Sequence, residues 1–134
     1  MGLPPPGFAG HAEDTLDLSG LNYLEVSRAE VEALFESYGM LDSRVEIVEG
    51  WFHETLPRMM GRRFAIIRLD GDIYSSTIVA LENLYSGLSS GGFVIVDDFA
   101  IEECRCAVED FRASVSAREQ LVPIDRNSVY WRKA

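Results

Sequence analysis

The sequence predicts an α/β fold with a mostly parallel sheet, because apolar runs typical of buried strands alternate with segments of helical periodicity. The 134 residues suit one domain, and 47% of them are hydrophobic, which is enough for a core. Two of the apolar runs, "FAIIRLD" at 64–70 and "FVIVDD" at 93–98, end on aspartates. Acidic groups at the ends of two buried strands are therefore the feature that a function has to explain.

The chain divides into a leader and a domain. Residues 1–26 predict an irregular leader, because "GLPPPG" favours extended backbone and the residues after it are polar and rich in turn formers. Residues 27–134 predict the α/β domain. Its first helix is expected at about 28–38, because Ser27 and Glu30 have the spacing of a capping box.

The rest of the domain alternates strands with helices. The expected elements are strands at 45–49, 65–70 and 93–97 and helices at 75–88 and 102–117. Ser-Ser-Gly-Gly at 89–92 is expected to end the first of these two helices. The final "LVPIDRNSVYWRK" predicts two short strands around a turn, which is most simply a β-hairpin.

Composition and charge exclude several classes of function. The net charge of −10 argues against binding to nucleic acid or to an anionic membrane surface. No segment approaches the length of apolar sequence that a membrane span needs, and "MGLPPPGF" lacks the pattern of a secretory signal. Cys104 and Cys106 lie two positions apart on a predicted helix and point away from each other, so we expect free thiols in a reducing cytoplasm.

The aspartates predict a cation site. In open α/β sheets, ligands bind beyond the carboxyl ends of the strands. If the strands at 65–70 and 93–97 are neighbours, Asp70, Asp97 and Asp98 converge on one point. Several ionised carboxylates need a cation, and oxygen ligands favour Mg²⁺ before Ca²⁺ or Mn²⁺. Helix capping and turn formation are the structural alternative for each pair.

Two further functions remain open at this point. An aspartate pair after one strand and a later Asp-Asp after another also occur in phosphatases of the haloacid-dehalogenase type. Those enzymes have Thr or Val at the position of Tyr74 and a lysine between the two motifs, whereas the first lysine here is Lys133. The other alternative is a non-catalytic protein that binds a metal or a partner.

Longer stretches of the sequence carry a family resemblance. "RLDGDIYSSTIVALENLYSGLSSGGFVIVDDF", with "GLPPP" before it and "IDRNSVYWR" after it, resembles the macrocin O-methyltransferase family. Members of that family are dependent on S-adenosylmethionine and Mg²⁺ and methylate sugar hydroxyls on natural products. The resemblance covers nearly the whole chain and implies a small-molecule sugar as substrate.

The resemblance also implies roles for individual residues. The implied metal ligands are Asp70, Asp97 and Asp98. Asp72 resembles the general base of the family, and Gly50 and Trp51 fall where a loop meets the adenine side of the cofactor. His53 is an alternative base, and His11 in the leader is a weaker one.

The implied fold is the C-terminal part of a class I methyltransferase, a Rossmann-like domain whose first two strands and glycine-rich turn are absent from these residues. The strand at 45–49 would then lack its neighbour, and the strand at 65–70 would have an unpaired, apolar edge. Such an edge promotes association, so we expect a homo-oligomer or self-association. We also expect the chain to be an inactive or incomplete C-terminal fragment of the enzyme.

Overall fold

A computed structural model describes residues 4–134, except for the side chains of Ala9 and Asn22. The strands are β1 (Phe64–Leu69), β2 (Leu88–Val96), β3 (Val122–Pro123) and β4 (Val129–Arg132). The helices are α1 (Arg28–Ser37), α2 (Phe52–Thr55), α3 (Tyr74–Leu84) and α4 (Glu102–Ser114). The strands form one sheet in the order β1-β2-β4-β3, which confirms the predicted α/β class.

The sheet is mixed. β1 and β2 are parallel neighbours, joined through α3, with Ile66 opposite Phe93 and Leu69 opposite Val96. β4 runs antiparallel to β2 and pairs with β3, so the predicted C-terminal hairpin is confirmed. The neighbouring positions of β1 and β2 are the condition on which the predicted aspartate cluster depended.

Side chains alternate between the two faces of the sheet, as the period of a strand requires. The inner face carries buried residues of β1, β2 and β4 under α3 and α4; they are Ile67, Leu69, Val94, Val96, Val129 and Trp131. We call the opposite surface the outer face and define it by Ile66, Arg68, Phe93, Ile95, Tyr130 and Arg132. On that face the side chains of Ile66 and Phe93 are 56% and 38% exposed.

The junction between α3 and β2 differs from the prediction. The helix expected to continue to residue 88 ends at Leu84, a short 3-10 turn follows at Tyr85–Gly87, and β2 starts at Leu88. The Ser-Ser-Gly-Gly sequence therefore lies inside a strand, not at a helix end. The turn is tight, because a Cβ on Gly87 would lie 2.2 Å from the backbone oxygen of Arg62.

Two other elements also differ in extent. α4 ends at Ser114, not at residue 117. The predicted strand at 45–49 is wrong, since the structure assigns no strand to these residues. A strand needs a partner for its backbone groups, and no neighbouring strand in the described part of the chain accepts this segment.

α1 begins as predicted but packs little. Ser27 and Glu30 form the expected capping box, with the Ser27 N–H donating to Glu30 Oε2 at 2.8 Å. None of the residues of α1 is buried. Its capping box therefore stabilises α1 locally, whereas packing against a hydrophobic core contributes little.

Cys104 is buried and Cys106 is partly exposed, and the structure joins neither of them in a disulfide. Within residues 4–134, we find no helix of the length and apolar character that a bilayer span requires.

Candidate functional site

Two loops meet at the carboxyl ends of β1 and β2. Asp70 follows β1, and Asp97 and Asp98 follow β2. The register places Leu69 opposite Val96, and the Asp97 N–H donates to Leu69 O at 2.9 Å. The parallel pairing therefore brings both aspartate-bearing loops to the same edge of the sheet.

Asp72 is held in an unusual backbone conformation next to Asp98. Its φ of 56° lies in the left-handed region, which residues with a Cβ rarely adopt. Its N–H donates to Asp98 Oδ2 at 3.2 Å. Backbone strain of this kind persists where the surrounding structure imposes it, and it clusters at functional sites.

The carboxylates interact electrostatically. Burial, followed by the negative charges of Asp72, Asp70 and Asp97, raises the pKa of Asp98 to about 6. Burial and the charge of Asp70 also raise the pKa of Asp72. The loops thus concentrate negative charge in a partly desolvated place, where a proton or a cation is favoured.

One member of the cluster already has a cationic partner. Arg68, on the outer face, donates to Asp97 Oδ2 from Nε at 2.8 Å and lies within 2.6 Å of it through Nη2. The hydrogen bond and the charge of Asp97 raise the pKa of Arg68. The guanidinium therefore occupies one carboxylate oxygen of a predicted metal ligand.

The donor chemistry fits a hard cation, since all of the clustered groups are carboxylates. In their present positions, however, the Asp, Glu, His and Cys side chains of the described residues include no group of three or more that could hold a metal ion. A metal site built from Asp70, Asp97 and Asp98 would require movement of these side chains, and Arg68 already contacts Oδ2 of Asp97. The metal site therefore stays a prediction.

The predicted cofactor loop lies beside the start of α3. Gly50 has a φ of 138°, and a Cβ there would lie 2.7 Å from Thr55 Cγ2, so a glycine is required. The Trp51 ring packs against Phe8 with ring centroids 4.6 Å apart. A Cβ on Gly71 would lie 3.7 Å from the Phe52 ring, which places the loop next to the aspartates.

The two histidines have other neighbours. The His53 ring lies 5.4 Å from Phe8 and its Nε2 lies 3.9 Å from Glu54. The His11 ring lies 5.5 Å from that of Tyr74. Their roles as alternative bases remain predictions, and these contacts do not tie either of them to Asp98 as Asp72 is tied.

Sequence reasoning missed two residues that shape this region. One is Arg68; a single arginine within the apolar run "AIIRL" was the signal available. The other is Asp14, whose side chain is 2% exposed and whose Oδ1 accepts a hydrogen bond from the Ser75 N–H at 3.0 Å, at the start of α3. Nothing local predicts that contact, because 61 residues separate its two partners.

Comparison with solved structures defines the class. The chain superposes on the O-methyltransferase NovP with a TM-score of 0.92 at 40% identity, covering 99% of this chain and 56% of that one. The calicheamicin methyltransferase CalS11 matches with a TM-score of 0.68 at 21% identity, over 98% of this chain and 56% of the other, which is a likeness of fold. The chain therefore has the α/β fold of methyltransferases.

The sequence comparison is more specific. The chain belongs to the macrocin-O-methyltransferase (TylF) family, whose family model matches residues 1–133. The 8-demethyl-8-(2,3-dimethoxy-alpha-L-rhamnosyl)-tetracenomycin-C 4'-O-methyltransferase of Streptomyces olivaceus is 47% identical, over 98% of this chain and 51% of the relative. The demethyldecarbamoylnovobiocin O-methyltransferase of Streptomyces niveus is 42% identical, over 99% of this chain and 52% of the relative. The chain thus spans about half the length of the curated relatives that it matches.

Proposed function

We propose that these residues form the acceptor side of an O-methyltransferase site, which transfers a methyl group from S-adenosylmethionine to a sugar hydroxyl of a natural product. The observation that carries the proposal is the cluster of aspartates at the ends of β1 and β2, with Asp72 strained against Asp98. The names of the two relatives, both O-methyltransferases, support the reaction type, and the name of the Streptomyces olivaceus relative includes a rhamnosyl group. Membership of the family favours methyl transfer over phosphatase chemistry.

The proposed ligands of Mg²⁺ are Asp70, Asp97 and Asp98. When bound, the metal supplies Lewis acidity that lowers the pKa of a sugar hydroxyl. Asp72 accepts the hydroxyl proton, a role for which its raised pKa suits it, because a base works best when its pKa lies near the working pH. Gly50 and Trp51 contact the adenine side of the cofactor.

These 134 residues in isolation have only part of the proposed site. We expect them to transfer no methyl group and to bind S-adenosylmethionine no more tightly than millimolar, because the resemblance implies a glycine-rich turn and a ribose-binding acid that these residues do not supply. A cytoplasmic location belongs to the same proposal, and the free thiols of Cys104 and Cys106 fit a reducing compartment.

Calorimetry with Mg²⁺ tests the metal site without any need for activity. We expect saturable binding by the chain, and at least about tenfold weaker binding by Asp98→Ala. Asp42→Ala is the matched control, because Asp42 is an exposed aspartate paired with Arg44 away from the cluster. The absence of saturable Mg²⁺ binding, or equal losses in the two variants, would remove the metal from the proposal.

The base is tested in a completed domain. A chimera in which this chain replaces the matched 133 residues of the Streptomyces olivaceus relative supplies the rest of the protein. There Asp72→Asn should lower methyl transfer about 10²–10⁴-fold while sparing Mg²⁺ binding. Turnover that survives this change would place the base elsewhere, and His53 would be the next residue to substitute.

A further inference from the structure

The turn that carries Asp72 is held from two sides. The Ile73 N–H donates to Gly71 O at 2.6 Å, which closes a three-residue turn with Asp72 at its centre. The positive φ of 56° at Asp72 makes this the rarer, strained form of such a turn. On one side, the hydrogen bond from the Asp72 N–H to Asp98 holds the turn. On the other side, the chain continues directly into α3.

α3 starts two residues after Asp72 but has no side-chain cap of its own. Ile73 occupies the N-cap position, and its apolar side chain accepts no hydrogen bond from the first turn. A helix start without a cap leaves backbone N–H groups unpaired. A Cβ on Gly71 would lie 3.1 Å from Ser76 Cβ, so the Asp72 turn packs on the first turn of α3. Movement of the helix start would therefore release the turn.

Asp14 provides the missing cap from a distant part of the chain. Its Oδ1 accepts a hydrogen bond from the N–H of Ser75, the second residue of α3, where an N-cap side chain normally acts. The negative charge of Asp14 also suits the positive end of the helix dipole. Both residues are buried, so water has little access to replace Asp14 as the partner of Ser75.

The leader fixes Asp14 in place independently of α3. The Asp14 N–H donates to His11 O at 3.3 Å, and the Asp14 backbone oxygen accepts from the Gly7 N–H at 2.9 Å. The next residue, Thr15, donates from Oγ1 to Glu103 Oε1 at 2.6 Å, in the first turn of α4. The leader thus contacts the starts of both helices that follow the aspartate loops.

One oxygen of Asp14 has no partner among the described residues. Oδ2 is buried and makes no hydrogen bond there. A buried acceptor of this kind lowers stability, because it has lost its hydration and has gained no hydrogen bond in exchange. The hydrogen bond from Oδ1 to the start of α3 therefore has to account for the position of this carboxylate.

We propose that Asp14 is a positioning residue for Asp72. By capping α3 from the leader, Asp14 fixes the helix start, and the fixed start keeps the Asp72 turn in its left-handed conformation against Asp98. This role rests on the proposed function of Asp72 as the general base. The coupling of Asp14 to the turn, however, is a property of the fold and is measurable without methyl transfer.

A thermodynamic cycle measures this coupling in the 134-residue chain. Asp72→Gly and Asp72→Ala both remove the carboxylate, but only glycine adopts a left-handed φ without strain. We therefore expect Asp72→Gly to be the more stable of the two in urea unfolding. Combined with Asp14→Ala, which removes the cap, this advantage of glycine should fall to less than about half. Asp14→Asn retains an acceptor for the Ser75 N–H and should preserve the advantage.

Thr15→Val is the matched control. It removes the neighbouring contact of the leader, which ends on α4 and not on α3. The advantage of glycine over alanine at position 72 should be unchanged in this background. Fluorescence of the buried Trp131 checks that each variant folds.

Amide hydrogen exchange followed by NMR gives a second measurement of the coupling. Asp14→Ala should speed exchange of the Asp72 and Ile73 N–H groups at least about tenfold. The Asp97 N–H, which is bonded to Leu69 O, should keep its rate. In the completed chimera, Asp14→Ala should lower kcat at least about tenfold with little change in KM, because a displaced base slows proton transfer without weakening sugar binding.

Three results would overturn the positioning role. They are an advantage of glycine that is the same with and without the Asp14 carboxylate, an Asp14→Asn variant that loses the advantage as fully as Asp14→Ala, and equal effects of Asp14→Ala and Thr15→Val. An additive cycle removes this role alone and leaves the proposed chemistry intact. Full turnover by Asp72→Asn instead removes Asp72 as the base, and with it the catalytic purpose of the Asp14 contact.

Discussion

The aspartate cluster should destabilise the fold at neutral pH, and Asp98→Asn measures this effect. The pKa of Asp98 is raised from an ordinary value of 3.8 to about 6. A carboxyl group with a raised pKa binds its proton more tightly in the folded state. Its ionised form therefore lowers stability, and the loss develops as the pH rises from about 4 to about 6 and stays constant above that.

The magnitude follows from the size of the shift. A rise from 3.8 to about 6 corresponds to a ceiling of about 3 kcal/mol, since each pKa unit is worth about 1.4 kcal/mol. Asp98 is only partly buried, so water screens its charge and about half of this is expected. Asp98→Asn should then stabilise the protein by about 1.5 kcal/mol at pH 7.5 and about 0.5 kcal/mol at pH 4.5.

Urea unfolding of the variant and the wild type at both pH values is the assay. Asp125→Asn is a control of opposite sign, because the backbone N–H groups of Asn127 and Ser128 lower the pKa of Asp125, so its loss should destabilise the fold at neutral pH. Millimolar Mg²⁺ should stabilise the wild type more than Asp98→Asn. An Asp98→Asn variant that is no more stable than wild type at pH 7.5 would refute the electrostatic account of the cluster.

Three other substitutions or labels test separate parts of the structure. Gly87→Ala should destabilise the fold by about 2–3 kcal/mol in urea unfolding, because its Cβ would meet the backbone oxygen of Arg62 at 2.2 Å; a smaller loss would mean that the turn yields. Cys104 should react with iodoacetamide at least about 100-fold more slowly than Cys106, because burial raises the pKa of the Cys104 thiol to about 11. Mass spectrometry measures both rates, and equal rates would contradict the burial of Cys104. Asp72→Gly should raise the free energy of unfolding by about 0.5–1 kcal/mol, because glycine adopts a left-handed φ without strain. Methyl transfer in the completed chimera should fall. A loss of stability would argue against backbone strain at Asp72.

Features set by nearby residues were predictable from the sequence. The capping box of Ser27 and Glu30 is a spacing of three residues, and the structure forms it. The apolar runs of β1 and β2 and the hairpin at the C-terminus also follow from local pattern. The neighbouring aspartate loops then follow from the general rule that a strand, helix and strand place parallel strands side by side.

The wrong predictions concern segments whose secondary structure depends on pairing with another strand. Residues 45–49 alternate as a strand does, but alternation records only which side chains can share a face, and a strand also needs a hydrogen-bonded neighbour. Ser89 to Gly92 have poor strand propensity, yet they belong to β2 because β2 pairs with β1 on both sides of them. Phe64 lies opposite Leu88, and the register is irregular between Phe64 and Ile66. The contacts of Asp14 and Arg68 join residues far apart in the chain, so no local sequence pattern predicts them.

The pKa values and the backbone conformation of the clustered aspartates help to distinguish a structural role from a functional one. A carboxylate that served only as a helix cap or turn former would stabilise the folded state. Asp125 does so, because backbone hydrogen bonds lower its pKa. Asp98 and Asp72 show the opposite, because burial and the negative charges of neighbouring aspartates, Asp70 in the case of Asp72, raise their pKa values, and Asp72 adopts a left-handed φ. Residues that lower stability in this way are retained where activity requires them. Turn formation therefore explains Asp125, whereas the raised pKa values and the φ of Asp72 support the proposed roles of Asp98 and Asp72, which the Asp98→Ala and Asp72→Asn variants test.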